Sequence, residues 1–392
     1  MRQAVINSCE CAESISRRSF LKTSAILTFA ALPDLSFGAE VGNGRLLVIL
    51  LRGGMDGLFA MPPVGDPSLK GRRLHLMPDG LLTLDGTFAL HPSLTNVHEI
   101  YQKGEALLVH GVSYPYTGRS HFEGQDIMET GILPGYSSPT GWLGRALDVT
   151  GYQALAMSLP LPLILRGKAQ AESRYPSWIS RPPAGVYEQL GELWLADVHM
   201  ASVGRQLAAG TTSPAGMEMA LGIGQEADLA SLAQTAGSRL RAADGPRVAV
   251  LDHVGFDTHS GQPGQHSQKL RDVDQAIGAF RLAIGDAWKE TLVVTVTEFG
   301  RTVAENGSWG TDHGWGTCVF VLGGALRKGG VVADWPGLKK KDLFEGRDLK
   351  ATIDARSLYA AMVSTTLGID PERVRRDVLD SPQDDRFEPF LG

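Results

Sequence analysis

The chain contains the apolar stretch Leu46-Leu47-Val48-Ile49-Leu50-Leu51, and the polar turn Arg52-Gly53-Gly54-Met55-Asp56-Gly57 follows it at once. Six apolar residues without alternation, ended by glycines, are typical of a short strand that is buried on both faces. Such strands occur in parallel sheets that helices cover on both sides. The stretch therefore predicts a protein of the α/β class.

Four further runs have the same apolar, β-branched character as Leu46–Leu51: residues 106–109, 248–251, 292–297 and 318–322. Between two of these runs, apolar residues recur at three- and four-residue spacing, which predicts a helix packed on a sheet. They are Leu270, Val273, Ile277, Phe280 and Ile284. Residues 248–297 are therefore predicted to form a strand, helix, strand unit, and all five runs to lie in a parallel sheet.

The middle of the chain has a different composition. Residues 131–181 are rich in Pro, Gly, Ser and Tyr, which predicts a long excursion from the sheet. Residues 186–240 have a helical pattern with a break near 210–216, so about 131–240 is treated as an excursion or cap. Near the end of the chain, Ala355–Leu367 is predicted to be a helix with Asp354 as its cap.

The first segment of the chain has the pattern of an export signal. Ser16-Arg17-Arg18-Ser19-Phe20-Leu21-Lys22 precedes the apolar stretch Thr23–Leu32, as in twin-arginine signal peptides. The alternative is a short surface helix that carries two arginines. Because the apolar stretch is too short to span a bilayer, we expect cleavage near Gly38 or Ala39 and no stable membrane anchor. The expected partner is the twin-arginine translocation machinery, and the expected location is periplasmic or secreted.

Charge and cysteine content argue against a nucleic-acid-binding protein and against a disulfide within one chain. The 392-residue chain has a formal net charge of -6 at pH 7, so it lacks the basic surface that drives nucleic-acid binding. We therefore expect no nucleic-acid partner. Of the three cysteines, Cys9 and Cys11 precede the twin arginines, so only Cys318 would remain after cleavage and no disulfide could form within one chain.

Polar residues that directly follow the apolar runs are the site candidates, because ligands in open α/β sheets lie at the carboxyl ends of strands. Asp56 could offer an oxygen to a cation, although a Gly-Gly-x-Asp sequence is often only a turn. Asp257 and His259 could face the same metal, because alternate side chains of an extended backbone share a face. The alternative for His259 is an ordinary loop hydrogen bond.

Ser120 lies between Arg119 and His121, about a dozen residues after the second run. It could be a nucleophile, with the amides of a helix start facing an anion. It could also be the first residue of a capping box whose fourth residue is Glu123. The two interpretations are compatible.

The fourth cluster follows the run 292–297. Glu298, Asp312 and His313 are potential metal ligands, and Arg301 could bind a tetrahedral anion through two hydrogen bonds. The alternative is a structural ion pair between Glu298 and Arg301.

Five separated motifs behind a twin-arginine signal resemble the bacterial family DUF1501, with the match running from about residue 45 to 340. The motifs are Leu51–Gly57, Ser120–Phe122, Phe256–His259, Thr297–Arg301 and Gly310–Gly316. That family resembles the alkaline phosphatase and sulfatase superfamily. The resemblance implies an alkaline-phosphatase-like three-layer sandwich with a central, mostly parallel sheet. Residues 1–38 would then be the signal peptide and 39–392 a single α/β domain.

The resemblance also implies a metal-dependent site with one or two divalent ions: Zn, Mg, Ca or Mn. Asp56 and Glu298 would hold one ion, and Asp257, His259 and His313 the other. The sequence departs from the superfamily, because Glu298 stands where an Asp-His pair usually ends the strand. Asp312 is a further ligand candidate.

The implied function is an exported hydrolase of phosphate or sulfate esters. Ser120 would attack phosphorus or sulfur, with His121 and Arg301 as further catalytic residues. Arg52 and Arg119 would contact a small anionic ester substrate. The alternative is a catalytically silent periplasmic binding or assembly protein that retains the fold.

Overall fold

The stretch Leu46–Leu51 lies within the central strand of a sheet in the computed structural model, which describes residues 44–158, 160–174 and 228–391. This strand, β1 (Arg45–Arg52), pairs in parallel with strands on both sides, so that Leu46 lies opposite both Val248 and Leu292. Its residues Leu46 to Leu50 are completely buried. The prediction of a strand buried on both faces is confirmed.

The other strands, in chain order, are β2 (Leu82–Thr83), β3 (Ala89–Leu90), β4 (Ala106–Ser113), β5 (Ala154–Met157), β6 (Ala171–Ser173), β7 (Val248–Val254), β8 (Thr291–Val296), β9 (Thr317–Leu322), β10 (Gly330–Ala333) and β11 (Ile353–Asp354). The order across the main sheet is β10-β4-β9-β8-β1-β7-β5-β6, and β11 pairs with β4. Every pairing in this sheet is parallel except those of β9, which is antiparallel to both β4 and β8. The described residues thus form a mixed, mostly parallel nine-stranded sheet.

The α-helices, in chain order, are α1 (Gly57–Ala60), α2 (Thr95–Gln102), α3 (His121–Thr130), α4 (Trp142–Thr150), α5 (Leu229–Arg241), α6 (Gln262–Ile284), α7 (Ala355–Leu367), α8 (Pro371–Arg373) and α9 (Glu388–Leu391). Short 3-10 segments span Leu163–Leu165, Gly285–Glu290, Lys340–Asp342 and Asp385–Phe387, and Val374–Leu379 is π-helical.

Helices cover both faces of the sheet. Leu46, Val48 and Leu50 of β1 pack in a buried cluster with residues of α3, α4 and α7. The alternate residues Leu47 and Ile49 pack on the other face with residues of α2, α5 and α6. Since successive strand residues point to opposite faces, a run without alternation is what this three-layer arrangement requires. The predicted α/β class is confirmed.

Several boundaries agree with the sequence, and two predictions need correction. The helix predicted from the 270–284 stripe lies within α6, and Asp354 caps α7 by accepting the amide hydrogen of Arg356. The run 318–322 does form a strand, but β9 runs antiparallel to its neighbours. The predicted excursion also returns to the sheet, where β5 pairs with β7. Residues 175–227 of that excursion lie outside the described residues.

The predicted signal peptide, residues 1–38, also lies outside the described residues. Within the described part of the chain, no helix combines the length and the apolar character needed to cross a membrane. The described residues belong to one compact unit.

Strand direction determines where the polar loops meet. Because β9 is antiparallel to both β4 and β8, the latter two strands run in the same direction as each other, and β8 runs parallel to β1. The carboxyl ends of β1, β4, β7 and β8 therefore lie along one edge of the sheet. The antiparallel strand β9 begins at that same edge, so the loop before it joins the loops that follow the other strands.

Candidate metal centre

Two glycines allow the loops at this edge to approach one another closely. Gly53, in the turn after β1, has a φ of 117°, and a Cβ atom there would lie 2.4 Å from the backbone nitrogen of Asp257. Gly310, in the loop before β9, has room for no side chain either, because a Cβ atom would lie 2.3 Å from the carbonyl group of His259. The β1, β7 and β9 loops are therefore in backbone contact around the site.

Three imidazoles and one carboxylate converge at this edge. The Nε2 atom of His313 lies 2.9 Å from Nε2 of His121 and 3.1 Å from Nε2 of His259. The Oδ1 atom of Asp257 lies 3.1 Å from Nε2 of His313 and 3.0 Å from Nε2 of His259. Its Oδ2 atom lies 3.3 Å from Nε2 of His121. Among the described residues, His121, Asp257 and His313 form a group whose ligand atoms all lie within 4.8 Å of one another and could hold a metal ion; His259 borders this group through His313 and Asp257.

The far nitrogen of His121 is held by a buried carboxylate. Its Nδ1 atom lies 2.8 Å from Oε1 of Glu298, whose side chain is completely buried. Glu298 also accepts hydrogen bonds from Nε2 of Gln125 and from the backbone nitrogen of Gly53. Burial raises the pKa of Glu298, but these hydrogen bonds, led by that of His121, bring the pKa below its ordinary value. Glu298 is therefore an ionised acceptor that fixes the orientation of His121.

The other two imidazoles are oriented in the same way. Nδ1 of His259 lies 3.0 Å from Oδ1 of Asp312, and Nδ1 of His313 lies 2.9 Å from the backbone oxygen of Arg119. A carbonyl oxygen can only accept, so His313 must carry its hydrogen on Nδ1. Metal-binding histidines commonly donate their second ring nitrogen to a carboxylate or carbonyl in this manner.

Arg301 holds the carboxylate of the cluster in its ionised form. Its Nη1 atom lies 2.8 Å from Oδ1 of Asp257, and its other nitrogens bond to the hydroxyl and carbonyl oxygens of Thr311. Partial burial raises the pKa of Asp257, but the hydrogen bond and charge of Arg301 lower it to about 2. The prediction that Arg301 binds a substrate anion does not match this position, because its guanidinium is completely buried and already bonded.

The separations within the cluster suit a tetrahedral cation. Zinc bonds of about 2.0–2.1 Å place the corners of a tetrahedron about 3.3 Å apart. The separations of His313 Nε2 from Nε2 of His121 and of His259, 2.9 and 3.1 Å, are close to that value. The group is also open to solvent, because the side chains of Asp257 and His259 are 43% and 46% exposed.

Two of the predicted ligands lie behind the cluster instead of in it. Glu298 contacts the outer nitrogen of His121, and Asp312 contacts the outer nitrogen of His259. Both contacts are to Nδ1 atoms, on the side of each ring away from the Nε2 atoms of the cluster. Glu298 and Asp312 therefore orient the histidines. The alternative, an ion pair between Glu298 and Arg301, is not found among the described residues, where Arg301 pairs with Asp257.

Asp56, predicted to be a metal ligand, is engaged in a buried ion pair. Its Oδ2 atom lies 2.6 Å from Nη1 of Arg73 and 2.6 Å from Nε2 of Gln262, and both charged side chains are 1% exposed or less. Its Oδ1 atom accepts the amide hydrogens of Leu58 and Phe59 at the start of α1. Burial raises the pKa of Asp56, and the charge of Arg73 brings it below the ordinary value. These contacts favour the structural alternative for the Gly-Gly-x-Asp turn.

Two arginines that we expected to contact substrate are also paired. Nε of Arg52 contacts both oxygens of Asp252, and its Nη1 lies 2.9 Å from Oε1 of Glu129. Arg119 contacts Asp348 and Glu345. Both guanidinium groups are thus neutralised by carboxylates of the protein itself.

Ser120 precedes α3 but is not the start of a capping box. Its side chain makes no cap hydrogen bond, and Glu123 instead accepts the hydroxyl hydrogen of Tyr116. Its backbone nitrogen donates to the same tyrosine hydroxyl, 3.1 Å away. The Ser120 side chain lies beside the hydroxyl group of Tyr116 and is partly exposed.

Sequence reasoning placed His121 with the catalytic residues and missed it as a potential ligand. The signal was present, since His121 directly follows the loop after β4, another strand that ends at this edge. Arg73 was missed altogether, because nothing in the sequence links it to Asp56 seventeen positions earlier. The spacing alone also gave no means of separating the residues that face the cation position from those that orient them.

The sequence matches the family described as "Protein of unknown function (DUF1501)" over residues 73–379. The chain belongs to the DUF1501 family. The matched region includes every residue of the cluster and begins after the Leu51–Gly57 motif, later than the expected start near residue 45. No curated protein sequence matches this member of the family.

Solved structures resemble this DUF1501 protein distantly. Ps i-CgsB in complex with k-i-k-neocarrahexaose is 10% identical, with a TM-score of 0.41 over 86% of this chain and 75% of that chain. The C-terminal periplasmic domain of Escherichia coli EcEptC, in complex with Zn, is 11% identical, with a TM-score of 0.37 over 71% and 72%. A protein in the alkaline phosphatase superfamily from Vibrio parahaemolyticus is 13% identical, with a TM-score of 0.34 over 71% of this chain and 60% of that chain.

The Asp56–Arg73 pair generates the first prediction. The substitution Asp56→Asn leaves the buried guanidinium of Arg73 without its counter-ion, so we expect the free energy of unfolding to fall by about 3–5 kcal/mol. We expect the metal content of the folded fraction to stay unchanged, because Asp56 does not face the cluster. Urea unfolding and elemental analysis measure the two effects.

Glu99→Gln is the matched control, because Glu99 forms an exposed pair with Lys103 and its loss should leave the free energy of unfolding essentially unchanged. Loss of metal from folded Asp56→Asn protein, with little change in stability, would show that Asp56 is a ligand after all.

Proposed function

We propose that this protein is an exported, metal-dependent hydrolase of phosphate or sulfate esters that holds one divalent transition-metal ion with His121, Asp257, His259 and His313. The observation that supports this proposal most strongly is electrostatic. With hydrogen on each Nδ1, the Nε2 atoms of His121 and His259 present lone pairs beside Nε2 of His313, next to an ionised carboxylate. Such an arrangement is mutually repulsive unless a cation or protons occupy its centre.

The donor set favours some of the expected metals over others. Magnesium and calcium prefer oxygen ligands, whereas zinc is commonly held by imidazole nitrogens together with a carboxylate. Three nitrogens and one oxygen therefore favour zinc or a related transition metal over Mg and Ca. Asp56 and Glu298 were expected to hold a second ion together. Asp56 is paired with Arg73 and Glu298 with His121, so the proposed site holds one ion only.

Each protein group has a distinct part in the proposed chemistry. A divalent metal bound there would supply Lewis-acid assistance to cleavage of an ester. Glu298, Asp312 and the carbonyl oxygen of Arg119 keep the imidazoles in the tautomer that presents Nε2. Arg301 keeps Asp257 ionised and in place. Preorganisation of this kind reduces the reorganisation needed at the moment of reaction.

Ser120 is the proposed nucleophile. It is the residue before His121, its side chain is partly exposed, and its hydroxyl makes no capping hydrogen bond to α3. Attack by its oxygen on phosphorus or sulfur would release the alcohol of the ester, and water would then release the phosphate or sulfate.

A catalytically silent binding or assembly protein is the second candidate. The observation that favours it is the pairing of Arg52, Arg119 and Arg301 with carboxylates of the chain. A phosphate or sulfate group would gain little from guanidinium groups that are already neutralised, so the metal would have to neutralise the substrate alone.

Metal content and hydrolysis can be measured together on protein purified from the cytoplasm without chelators. We expect close to one equivalent of a transition metal, and hydrolysis of aryl phosphate or aryl sulfate test esters. The substitution His313→Ala should reduce both strongly, because it removes one of the converging nitrogens. Ser120→Ala should retain the metal and lose at least 100-fold in kcat, since the nucleophile alone is removed.

His98→Ala is the matched control, because His98 is a partly exposed histidine on α2 that contacts the carbonyl of Thr83 and lies outside the cluster. It should retain both metal and activity. A metal-loaded wild type that hydrolyses neither ester would favour the silent binding protein, and a Ser120→Ala variant as active as wild type would eliminate Ser120 as nucleophile.

We also propose that the protein is exported through the twin-arginine pathway, on the basis of Arg17, Arg18 and the apolar stretch that follows them. Exchange of both arginines for lysine keeps the charge but removes the paired guanidinium groups. We expect the Arg17→Lys/Arg18→Lys variant to accumulate uncleaved in the cytoplasm, as cell fractionation and intact-mass measurement would show. Arg2→Lys is the control and should be exported normally; export of the double variant at the wild-type level would overturn the proposal.

A further inference from the structure

Arg119 has an unusual backbone conformation at a critical point of the site. Its φ is 57°, in the left-handed region that residues other than glycine seldom adopt. In this conformation its carbonyl oxygen lies 2.9 Å from Nδ1 of His313. The orientation of His313 therefore depends on a backbone conformation that an arginine does not favour by itself.

The side chain of Arg119 is anchored by a buried carboxylate. Its Nε and Nη2 atoms lie 2.9 and 2.6 Å from Oδ2 of Asp348, whose side chain is completely buried. A second carboxylate, Glu345, also lies 2.6 Å from Nη2, but it is 55% exposed. Charge-assisted hydrogen bonds are strong where water is excluded and weak where it competes, so Asp348 is the effective anchor.

Asp348 is itself held firmly by the backbone around it. Its amide donates to the carbonyl of Phe344, and its carbonyl accepts the amide hydrogen of Phe344, at 3.0 and 2.9 Å. The backbone of Asp348 also forms an isolated antiparallel β-bridge with Thr302, the residue after Arg301. The carboxylate thus projects from a segment that is joined by a β-bridge to the loop carrying Arg301, the partner of Asp257.

We propose that Asp348 is a positioning residue for the metal centre. By holding the guanidinium of Arg119, Asp348 keeps residue 119 in the left-handed conformation. The carbonyl oxygen of Arg119 then accepts the hydrogen of Nδ1 of His313, and Nε2 of His313 faces the proposed cation position. Asp348 contacts neither His313 nor the cation position and acts only through Arg119. The inference rests on the proposed metal-binding function, but the orientation of His313 can be measured without metal.

The consequence is a specific dependence on the residue at position 119. Glycine adopts a positive φ without steric cost and supplies the same carbonyl oxygen, so it needs no anchor. Alanine supplies the carbonyl oxygen but retains the steric cost of a positive φ and lacks the guanidinium that Asp348 holds. Glycine and alanine at position 119 should therefore differ, although both remove the same ion pair.

The test compares Asp348→Ala, Arg119→Ala, Arg119→Gly and the double variant Arg119→Gly/Asp348→Ala by titration with Co(II) and Zn(II). We expect Asp348→Ala and Arg119→Ala to raise the Kd about 10- to 100-fold, in the range found when partners of ligating histidines are removed. We expect Arg119→Gly to remain within about threefold of wild type, and the double variant to bind more tightly than Asp348→Ala. The visible spectrum of bound Co(II) reports ligand geometry independently of affinity.

Glu345→Gln is the matched control, because it removes the exposed partner of Arg119 and leaves the buried one; its Kd should match that of wild type. Equal Kd values for folded Arg119→Gly and Arg119→Ala would overturn the proposal. This comparison remains decisive if Asp348→Ala fails to fold, since Arg119 is partly exposed.

Nitrogen-15 NMR of the histidine side chains in metal-free protein separates this inference from the proposed function. Wild type and Arg119→Gly should show His313 with its hydrogen on Nδ1, and Arg119→Ala should lose that preference. If wild type binds no metal and the tautomer still depends on residue 119 in this way, the proposed function fails and the positioning role stands. If metal binds but the tautomer and the Kd are insensitive to residue 119, the positioning role fails alone.

Discussion

The site depends on one electrostatic constraint, which is the approach of Nε2 of His313 to Nε2 of His121 and of His259, at 2.9 and 3.1 Å, beside the carboxylate of Asp257. Each imidazole is fixed from behind by an acceptor, namely Glu298, Asp312 or the carbonyl of Arg119. Acceptors in those positions require hydrogen on Nδ1 and so turn the lone pairs inward. A cation bound at the centre, as we propose, would convert this repulsion into attraction.

The sheet provides the framework for this convergence. Four strands end at the same edge, and the antiparallel strand β9 begins there, which brings His313 to the histidines that follow β4 and β7. Gly53 and Gly310 then permit backbone contacts that any side chain would prevent. The buried carboxylates Asp56 and Asp348 pair with Arg73 and Arg119, secure the loops around the site and, among the described residues, form no ion pair with the three histidines.

Much of the framework could be predicted from the sequence, because apolar runs without alternation identify strands that are buried on both faces. The runs that form β1, β7 and β8 carry that information locally, and the sequence of α7 likewise predicts its helix and its cap. The antiparallel direction of β9 did not, since a run of this kind has no intrinsic direction. The strand-end rule likewise located the site residues but did not assign their roles: Glu298 and Asp312 have the chemistry of ligands, and only their contacts with His121 and His259 identify them as orienting groups. The pairing of Asp56 with Arg73 depends on tertiary packing and left no pattern in the sequence.

The measurement that tests the central claim most directly is anomalous diffraction from crystals of the zinc-loaded protein, recorded on both sides of the zinc absorption edge. Our account predicts one anomalous peak, about 2.0–2.1 Å from Nε2 of His121, His259 and His313 and beside the carboxylate of Asp257. Glu298, Asp312 and Asp56 should make no bond to it. A peak bonded to Asp56 and Glu298, or no peak among the three histidines, would contradict the account.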